Sequence, residues 1–285
     1  MSTRRHFVQR LATTPAWAWA LASMSPAQAA GTSAMTLSQL VANDLSRWDQ
    51  VELHRTGTQG DADTARWLAQ EIGAMGLEPR IDEFAFRQRT PGLCSVTDGI
   101  NEANGLPMFD GGSTGFNPIV GRCGPLQSDA PIGITSYGTT TRDASTQTLR
   151  QARRRGQHQI IVASANVGAN VPGLAVLNAE SYRRPYGPPV LQVATEHQTW
   201  LQTAAKKAAA LSVHAQLSER IHVASNVEIT IKGQQPHLAP VVVMTPRSGW
   251  WTSTSERGGG VTVWLNAIRM LAKQQPVRSV LFTAN

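Results

Sequence analysis

Cysteine is scarce in this sequence, because its 285 residues include only Cys94 and Cys123. Their spacing is not that of a zinc site, so the two thiols either pair as one disulfide or stay free and buried. Charged residues are also few, at 16% against 41% apolar residues, which is typical of a globular rather than a disordered chain. No apolar run in the sequence is long enough to span a membrane.

The excess of positive charge is modest and lies partly at the N-terminus. The formal net charge is +7, and Arg4, Arg5 and Arg10 supply three of the 26 basic residues before any acidic residue occurs. Without them, 23 basic residues stand against 19 acidic ones, a net charge of +4. This composition indicates a mildly basic globule rather than a nucleic-acid-binding protein. The densest basic run, at residues 153–155, is predicted to be the solvated end of a helix.

The first 29 residues resemble a twin-arginine export signal. Arg4 and Arg5 are followed by Phe7 and a short apolar stretch, and Ala27-Gln28-Ala29 offers a small-residue cleavage site. Residues 1–29 are therefore predicted to be an export signal, and the mature protein is predicted to be periplasmic or secreted. After cleavage, no association with a membrane is expected.

Apolar periodicity predicts two helices near the start of the mature chain. The first begins with a capping box formed by Thr36 and Gln39. A polar loop, HRTGTQGD at residues 54–61, leads into the second helix, which Asp61 or Asp63 is predicted to cap.

The middle of the chain changes character. Residues 80–88 read as a strand, and residues 90–131 are rich in glycine and proline with short apolar pieces, which is typical of a β-rich, loop-rich insert. In the next part of the chain, helices are predicted over residues 144–156 and 196–211.

The last part of the chain has a regular α/β pattern. Strands are predicted over residues 226–233, 241–244 and 277–285, with a helix over residues 258–273. Three strands and one helix cannot cover both faces of a sheet. We therefore expect the remaining face to be covered by a partner or by further sequence of a longer gene.

This order of elements resembles the zinc-dependent aminopeptidases of peptidase family M twenty-eight. The loop at residues 54–61, the insert and the stretch from SNVEITIKG to SVLFTAN match the family in order. The resemblance implies an α/β fold with a three-layer αβα phosphorylase/hydrolase-like peptidase domain, incomplete here, and a β-rich protease-associated insert. It divides the chain into N-terminal helices at residues 30–89, the insert at 90–222 and the start of the peptidase-like domain at 223–285.

Zinc is the cofactor that this resemblance implies, because the family uses a paired zinc site to activate water. The family's first ligands form a His-x-Asp motif after the second strand, but Pro246 and Ser248 occupy those positions here. Only Glu256 falls near an expected ligand, the bridging aspartate, and the remaining ligands would lie beyond Asn285. We therefore predict that this chain as it stands binds no zinc and has no catalytic residues.

The same loop carries candidate ligand-binding residues. Arg247, Trp250, Trp251 and Arg257 are predicted to line a pocket, in which an arginine meets a carboxylate and the tryptophans stack on the ligand. Alternatively, the tryptophans pack under the insert and Arg247 pairs with Glu256 inside the loop. Glu256 is better explained as an acidic residue that a helix N-terminus favours than as a metal ligand.

Three functions remain open on the sequence alone. The first is an exported aminopeptidase-like protein without an intact zinc site. The second is an active zinc-dependent exopeptidase completed by further sequence, and the third is a non-catalytic protein that binds a peptide or glycan through its insert. A Gly-x-Ser-x-Gly motif is missing and the histidines have no ligand spacing. The family resemblance implies a peptide as the substrate or ligand, and nucleic acid is not an expected partner.

Overall fold

The computed structural model describes residues 35–138, 140–166 and 171–285. The predicted export signal at residues 1–29 lies outside the described residues. The first two elements are helices, α1 (Leu37–Asp49) and α2 (Gln59–Ala74). No helix within the described ranges is long and apolar enough to cross a membrane.

Each of these helices begins at a threonine cap. In α1 the predicted capping box is confirmed, because Thr36 accepts the Gln39 backbone N–H and the Gln39 side chain accepts the Thr36 N–H. In α2 the predicted cap is wrong, since the N-cap residue is Thr58 and not Asp61 or Asp63. Asp61 lies inside the first turn, and its carboxylate is buried.

A long antiparallel ribbon connects the two halves of the fold. Strand β1 (Arg80–Thr97) pairs with strand β7 (Ala210–Ile231), and the register shifts between Pro91 and Cys94. Both strands are longer than predicted, because the sequence pattern indicated a strand only over residues 80–88 and a helix that continued to residue 211. Pairing between distant parts of the chain overrides the local helical pattern here.

One end of the ribbon belongs to a closed ring of strands. The ring adds seven elements, which are β2 (Glu102–Pro107), β3 (Ile119–Pro125), β4 (Ile132–Tyr137), helix α3 (Ala144–Arg155), β5 (Ile160–Ala165), β6 (Val190–Val193) and helix α4 (Gln198–Lys206). The strand order is β1-β2-β6-β5-β4-β3-β7, and the pairing of β1 with β7 closes it. Strands β3 to β6 run parallel to one another. Closure leaves these strand segments without an open sheet edge.

The prediction that residues 153–155 form a solvated helix end is wrong for Arg153, which is buried. Arg153 is 1% exposed and donates a hydrogen bond to the Asp110 carboxylate (2.9 Å). Its guanidinium carbon also lies 4.0 Å from the centroid of the Tyr186 ring. The face of α3 that carries Arg153 therefore packs into the ring, while Arg154 and Arg155 remain exposed.

The other end of the ribbon continues into a second sheet. Strands β8 (Val241–Thr245) and β9 (Val280–Ala284) extend it in the order β1-β7-β9-β8, with helix α5 (Gly259–Leu271) between them in the chain. Strand β9 is antiparallel to β7 and parallel to β8. This mixed sheet with helices confirms the predicted α/β class.

Helices α1, α2 and α5 pack against one face of the second sheet. Their shared core is built around Trp48, Leu68 and Phe282, which are all at most 1% exposed. On the opposite face, the side chains of Val242 and Met244 are 59% and 66% exposed. In the described part of the chain, helices therefore form only one of the two outer layers that the three-layer expectation includes.

The two cysteines lie in the core of the ring as free, buried thiols, which is the second of the two expected alternatives, and they do not form a disulfide. Cys94 pairs with Ala215 of β7, whereas the Cys123 N–H donates to the carbonyl of Ala209, six residues earlier. At roughly 3.3 Å per residue, this spacing separates them by about 20 Å along the strand, whereas a disulfide needs Cα atoms within about 7 Å. Burial raises the pKa of the Cys94 thiol to about 11.

Candidate functional site

The loop after β8 lies at the carboxyl end of the parallel strands β8 and β9, the edge at which α/β sheets commonly bind ligands. It ends in a turn of π-helix at Thr254–Gly258, which leads into α5. The Arg247 N–H donates to the Asn285 carbonyl (2.7 Å), and the Gly249 N–H donates to the His54 carbonyl (3.1 Å). These bonds connect the loop to the end of β9 and to the loop before α2.

Arg247 neither lines a pocket nor pairs with Glu256, so both expectations for it are wrong. Its side chain is 1% exposed and donates to the carboxylate and carbonyl of Asp61 and to the carbonyl and hydroxyl of Ser225. Burial raises the pKa of the Asp61 carboxyl and lowers the pKa of Arg247, and the attraction between the two charges opposes both shifts. The ion pair therefore joins the loop to α2 and to β7.

A cleft of about 530 Å³ opens between this loop and the ring. Its walls come from the loop before α2, from β1, from the irregular segments of the ring and from the loop after β8. Its lining includes four aromatic residues and three charged ones, which are Phe86, Phe109, Tyr182 and Trp250, and Arg55, Glu256 and Arg257.

An aromatic stack forms one wall of the cleft. Trp250 stacks on Phe109 with ring centroids 5.1 Å apart, and its indole N–H donates to the side-chain carbonyl of Asn178 (3.1 Å). The Arg55 guanidinium carbon lies 4.2 Å from the Phe109 centroid and 5.6 Å from the Trp250 centroid. Trp250 therefore packs against the insert, as the alternative expected, and it also lines the cleft. Trp251 does not line the cleft and is 42% exposed.

Glu256 and Arg257 border the cleft and form an ion pair with each other (2.9 Å). The Glu256 side chain is 62% exposed, and Arg257 Nε also donates to the Ser248 carbonyl (2.8 Å). Among residues 35–138, 140–166 and 171–285, no three His, Cys, Asp or Glu side chains form a group that could hold a metal ion. With Pro246 and Ser248 at the positions of the implied first ligands, the donors that the structure describes do not fit zinc.

Most residues that line the cleft could not be identified from the sequence. Phe109, Asn178 and Tyr182 lie in irregular parts of the insert, where neither a motif nor a periodicity marks them. Arg55 belongs to the polar HRTGTQGD loop, which marks it as a loop residue but does not show that it lies beside Trp250. These residues meet only because the ring and the second sheet come together at the ribbon.

Acid should weaken the packing beside this site, because His54 is fully buried and stacks on Trp48 with ring centroids 3.6 Å apart. Burial lowers the pKa of His54 from its usual 6.5. The unfolded chain therefore binds a proton near pH 6.5 that the folded chain does not, so the contribution is fully present above that pH and is lost as the pH falls. We expect the free energy of unfolding to decrease below pH 6.5 by at most about 1.4 kcal/mol per pH unit from this group.

Urea denaturation at pH values from 7.5 to 5 measures this decrease. The His54→Gln variant should show a shallower decrease, whereas His237→Gln, which changes an exposed histidine, should follow the wild type. Identical slopes for His54→Gln and the wild type would show that His54 does not cause the acid sensitivity.

Comparison with family models and with curated protein sequences finds no match. Solved structures do match. A zinc aminopeptidase from Bacillus subtilis aligns with a TM-score of 0.66 at 14% identity, covering 87% of this chain and 61% of its own. An aminopeptidase from an Aneurinibacillus strain gives a TM-score of 0.59 at 13% identity, covering 87% and 62%. The chain has an aminopeptidase-like fold.

A third solved structure, a peptidase precursor of family M twenty-eight from Shewanella amazonensis, has a TM-score of 0.61 at 13% identity, covering 87% of this chain and 66% of its own. The chain thus spans 61% of the length of the Bacillus subtilis structure and 62% of the length of the Aneurinibacillus structure. At these identities the likeness shows the fold, and the resemblance drawn from the sequence is confirmed at that level.

Proposed function

We propose that this aminopeptidase-like chain binds peptides in the cleft and does not hydrolyse them with zinc held by its described residues. The observation that supports the proposal is the cleft itself, a concave site of about 530 Å³ at the carboxyl end of β8. Its volume lies in the usual range of ligand pockets, about 300–1,000 Å³. Its position at the meeting of two structural units is also typical of binding sites.

The residues that line the cleft can make both apolar contacts and hydrogen bonds with a peptide. The four aromatic side chains give flat apolar surface, and Tyr and Trp are the residues that most often dominate the affinity of such contacts. Gln88 donates to the Thr56 carbonyl and Asn178 accepts from Trp250, which leaves the Gln88 carbonyl and the Asn178 amide N–H groups for a ligand. Because the walls come from both the ring and the second sheet, binding by the insert alone is less well supported.

Zinc-dependent hydrolysis would require carboxylates that are free to bind metal, but the carboxylates near the cleft form ion pairs with arginines. The Glu256 carboxylate pairs with Arg257, and the Asp61 carboxylate pairs with Arg247. Neither carboxylate lies beside a histidine or a second acid in an arrangement that could bind zinc among the described residues. The twin-arginine resemblance of residues 1–29 supports a periplasmic or secreted location for the binding activity.

The test uses protein recovered from the exported fraction of its host. Elemental analysis is expected to find far less than one zinc per chain, and leucine p-nitroanilide is expected not to be hydrolysed. Equilibrium dialysis against a pool of phenylalanine-containing pentapeptides is expected to retain peptides. Trp250→Ala should weaken that retention about tenfold or more, whereas Trp251→Ala, which changes an exposed tryptophan outside the cleft, should match the wild type.

Two results would contradict the proposal in different ways. Stoichiometric zinc with hydrolysis that Glu256→Ala abolishes would establish the zinc-dependent exopeptidase instead. Absence of peptide retention by the wild type would remove the binding function, and recovery only from the cytoplasm with the leader intact would remove the exported location.

A further inference from the structure

Arg55 is the cation of the cleft that has no acidic partner in the part of the chain that the structure describes. Its side chain is half-buried and makes one hydrogen bond within the described residues, from Nη2 to the Arg89 carbonyl (2.7 Å). A guanidinium has five N–H donors. Four donors of Arg55 are therefore left for solvent or for a ligand in the cleft.

The other buried arginines show how this fold treats such charges. The two fully buried ones are matched to carboxylates, in the pairs Arg153–Asp110 and Arg247–Asp61, and the half-buried Arg269 pairs with Asp44 and Glu71. Arg257, which shares the cleft, is paired with Glu256. Arg55 has no such partner within the described residues, and the remaining residues of the chain include no aspartate or glutamate.

Neighbouring Arg89 adds a second positive charge to this region. Its Nη1 donates to the carbonyls of Phe109 (2.8 Å) and Gly111 (2.7 Å), and no carboxylate of the described residues pairs with it. The region around Phe109 therefore holds two guanidinium groups without an acid, while the other arginine of the cleft is neutralised.

Desolvation makes the Arg55 charge costly without a partner. Burial lowers the pKa of Arg55, and no carboxylate opposes this shift. The faces of Phe109 and Trp250 compensate in part through cation–π contacts and also limit the orientations of the guanidinium. A group of this kind is well suited to a planar anion, because its fork of N–H donors matches a carboxylate in two parallel hydrogen bonds.

We propose that the cleft recognises peptides through a carboxylate, which binds the Arg55 guanidinium beside the stack of Phe109 and Trp250. This inference rests on the proposed function. The carboxylate comes either from the C-terminus of the peptide or from an Asp or Glu side chain, since the two present the same chemistry to Arg55. The aromatic stack receives the neighbouring apolar side chain of the peptide.

Three acetylated peptides separate these possibilities by isothermal titration. They are acetyl-Ala-Phe-Ala as the free acid, the same peptide as its C-terminal amide, and acetyl-Glu-Phe-Ala amide. The free acid is expected to bind the wild type about 10- to 100-fold more tightly than its amide, the effect of a hydrogen-bonded charge pair. Tight binding of acetyl-Glu-Phe-Ala amide would identify a side-chain carboxylate as sufficient, and weak binding would identify the C-terminus as the source.

Arg55→Gln should reduce the affinity for the free acid to that for the amide. Arg278→Gln removes an equal charge from an exposed arginine outside the cleft and should keep the preference of the wild type. Arg55→Lys, which keeps the charge but loses the fork, should retain an intermediate preference. The comparison of acid with amide on the wild type does not depend on the folding of any variant.

The outcomes distinguish this inference from the function on which it rests. Equal affinity of the wild type for all three peptides, with no effect of Arg55→Gln on any of them, would overturn the role of Arg55 and leave peptide binding intact. Binding of none of the three peptides would overturn both.

Discussion

Replacing Arg247 with alanine is expected to lower the free energy of unfolding by about 3–5 kcal/mol. The substitution removes the guanidinium and leaves the Asp61 carboxylate buried without its counterion. The Ser225 carbonyl also loses a donor. Because the total stability of a domain is typically only about 5–15 kcal/mol, the loss should be evident in urea denaturation followed by tryptophan fluorescence.

Two further variants show whether burial is the cause. Arg87→Ala breaks an ion pair with Glu219 in which both side chains are more than half exposed, and should leave the denaturation midpoint unchanged within error. Arg247→Met combined with Asp61→Leu removes both charges and should recover most of the loss, because apolar groups of similar size often replace a buried pair without penalty. If Arg247→Ala cost as little as Arg87→Ala, the pair could not be desolvated as the structure shows.

Structural features that depend on interactions between residues close together in the sequence could be predicted from the sequence. The capping box of α1 depends on Thr36 and Gln39, which are three residues apart, so the sequence alone specifies it. Strand β7 depends instead on β1 and β3, and its first residues look like the continuation of an alanine-rich helix. The helix ends at Lys206 because the following residues pair with strands that precede them by about a hundred residues.

The same difference between local and long-range interactions applies to the candidate site. The sequence marks Arg247 as a loop arginine, but its partner Asp61 lies 186 residues earlier, and no pattern connects the two. Arg153 looks like part of a solvated basic run until the fold brings it to Asp110. Charged residues can thus be located from the sequence, whereas their burial and their partners follow only from tertiary structure.

Replacing Asp110 with alanine is expected to destabilise the ring by about 3–5 kcal/mol and also to weaken peptide binding. Asp110 is fully buried, and one carboxylate oxygen accepts from Arg153 (2.9 Å). The other oxygen accepts the backbone N–H groups of Glu180 (2.8 Å) and Ser181 (3.0 Å). Without this carboxylate, the Arg153 charge has no acidic partner, and two backbone donors lose their acceptor.

The effect on binding follows from the segment that Asp110 holds. Asn178 and Tyr182 flank Glu180 and Ser181 in sequence and line the cleft, and Asn178 accepts the indole N–H of Trp250. If the segment is less ordered in the free protein, part of the binding energy must order it, and the affinity decreases. We expect the affinity for acetyl-Ala-Phe-Ala to fall about tenfold, which corresponds to 1.4 kcal/mol.

Three measurements on Asp110→Ala separate stability from binding, namely urea denaturation, hydrogen exchange over residues 176–186 and isothermal titration with acetyl-Ala-Phe-Ala. Faster exchange of this segment is expected together with the weaker binding. Asp129→Ala, which removes the acid of an exposed ion pair with Arg122 in the same ring, should alter none of the three. A destabilised variant with unchanged exchange and affinity would show that other contacts position the wall of the cleft. Because Asp110 does not itself line the cleft, a loss of affinity in this variant cannot come from a lost ligand contact and must come from the position of that wall.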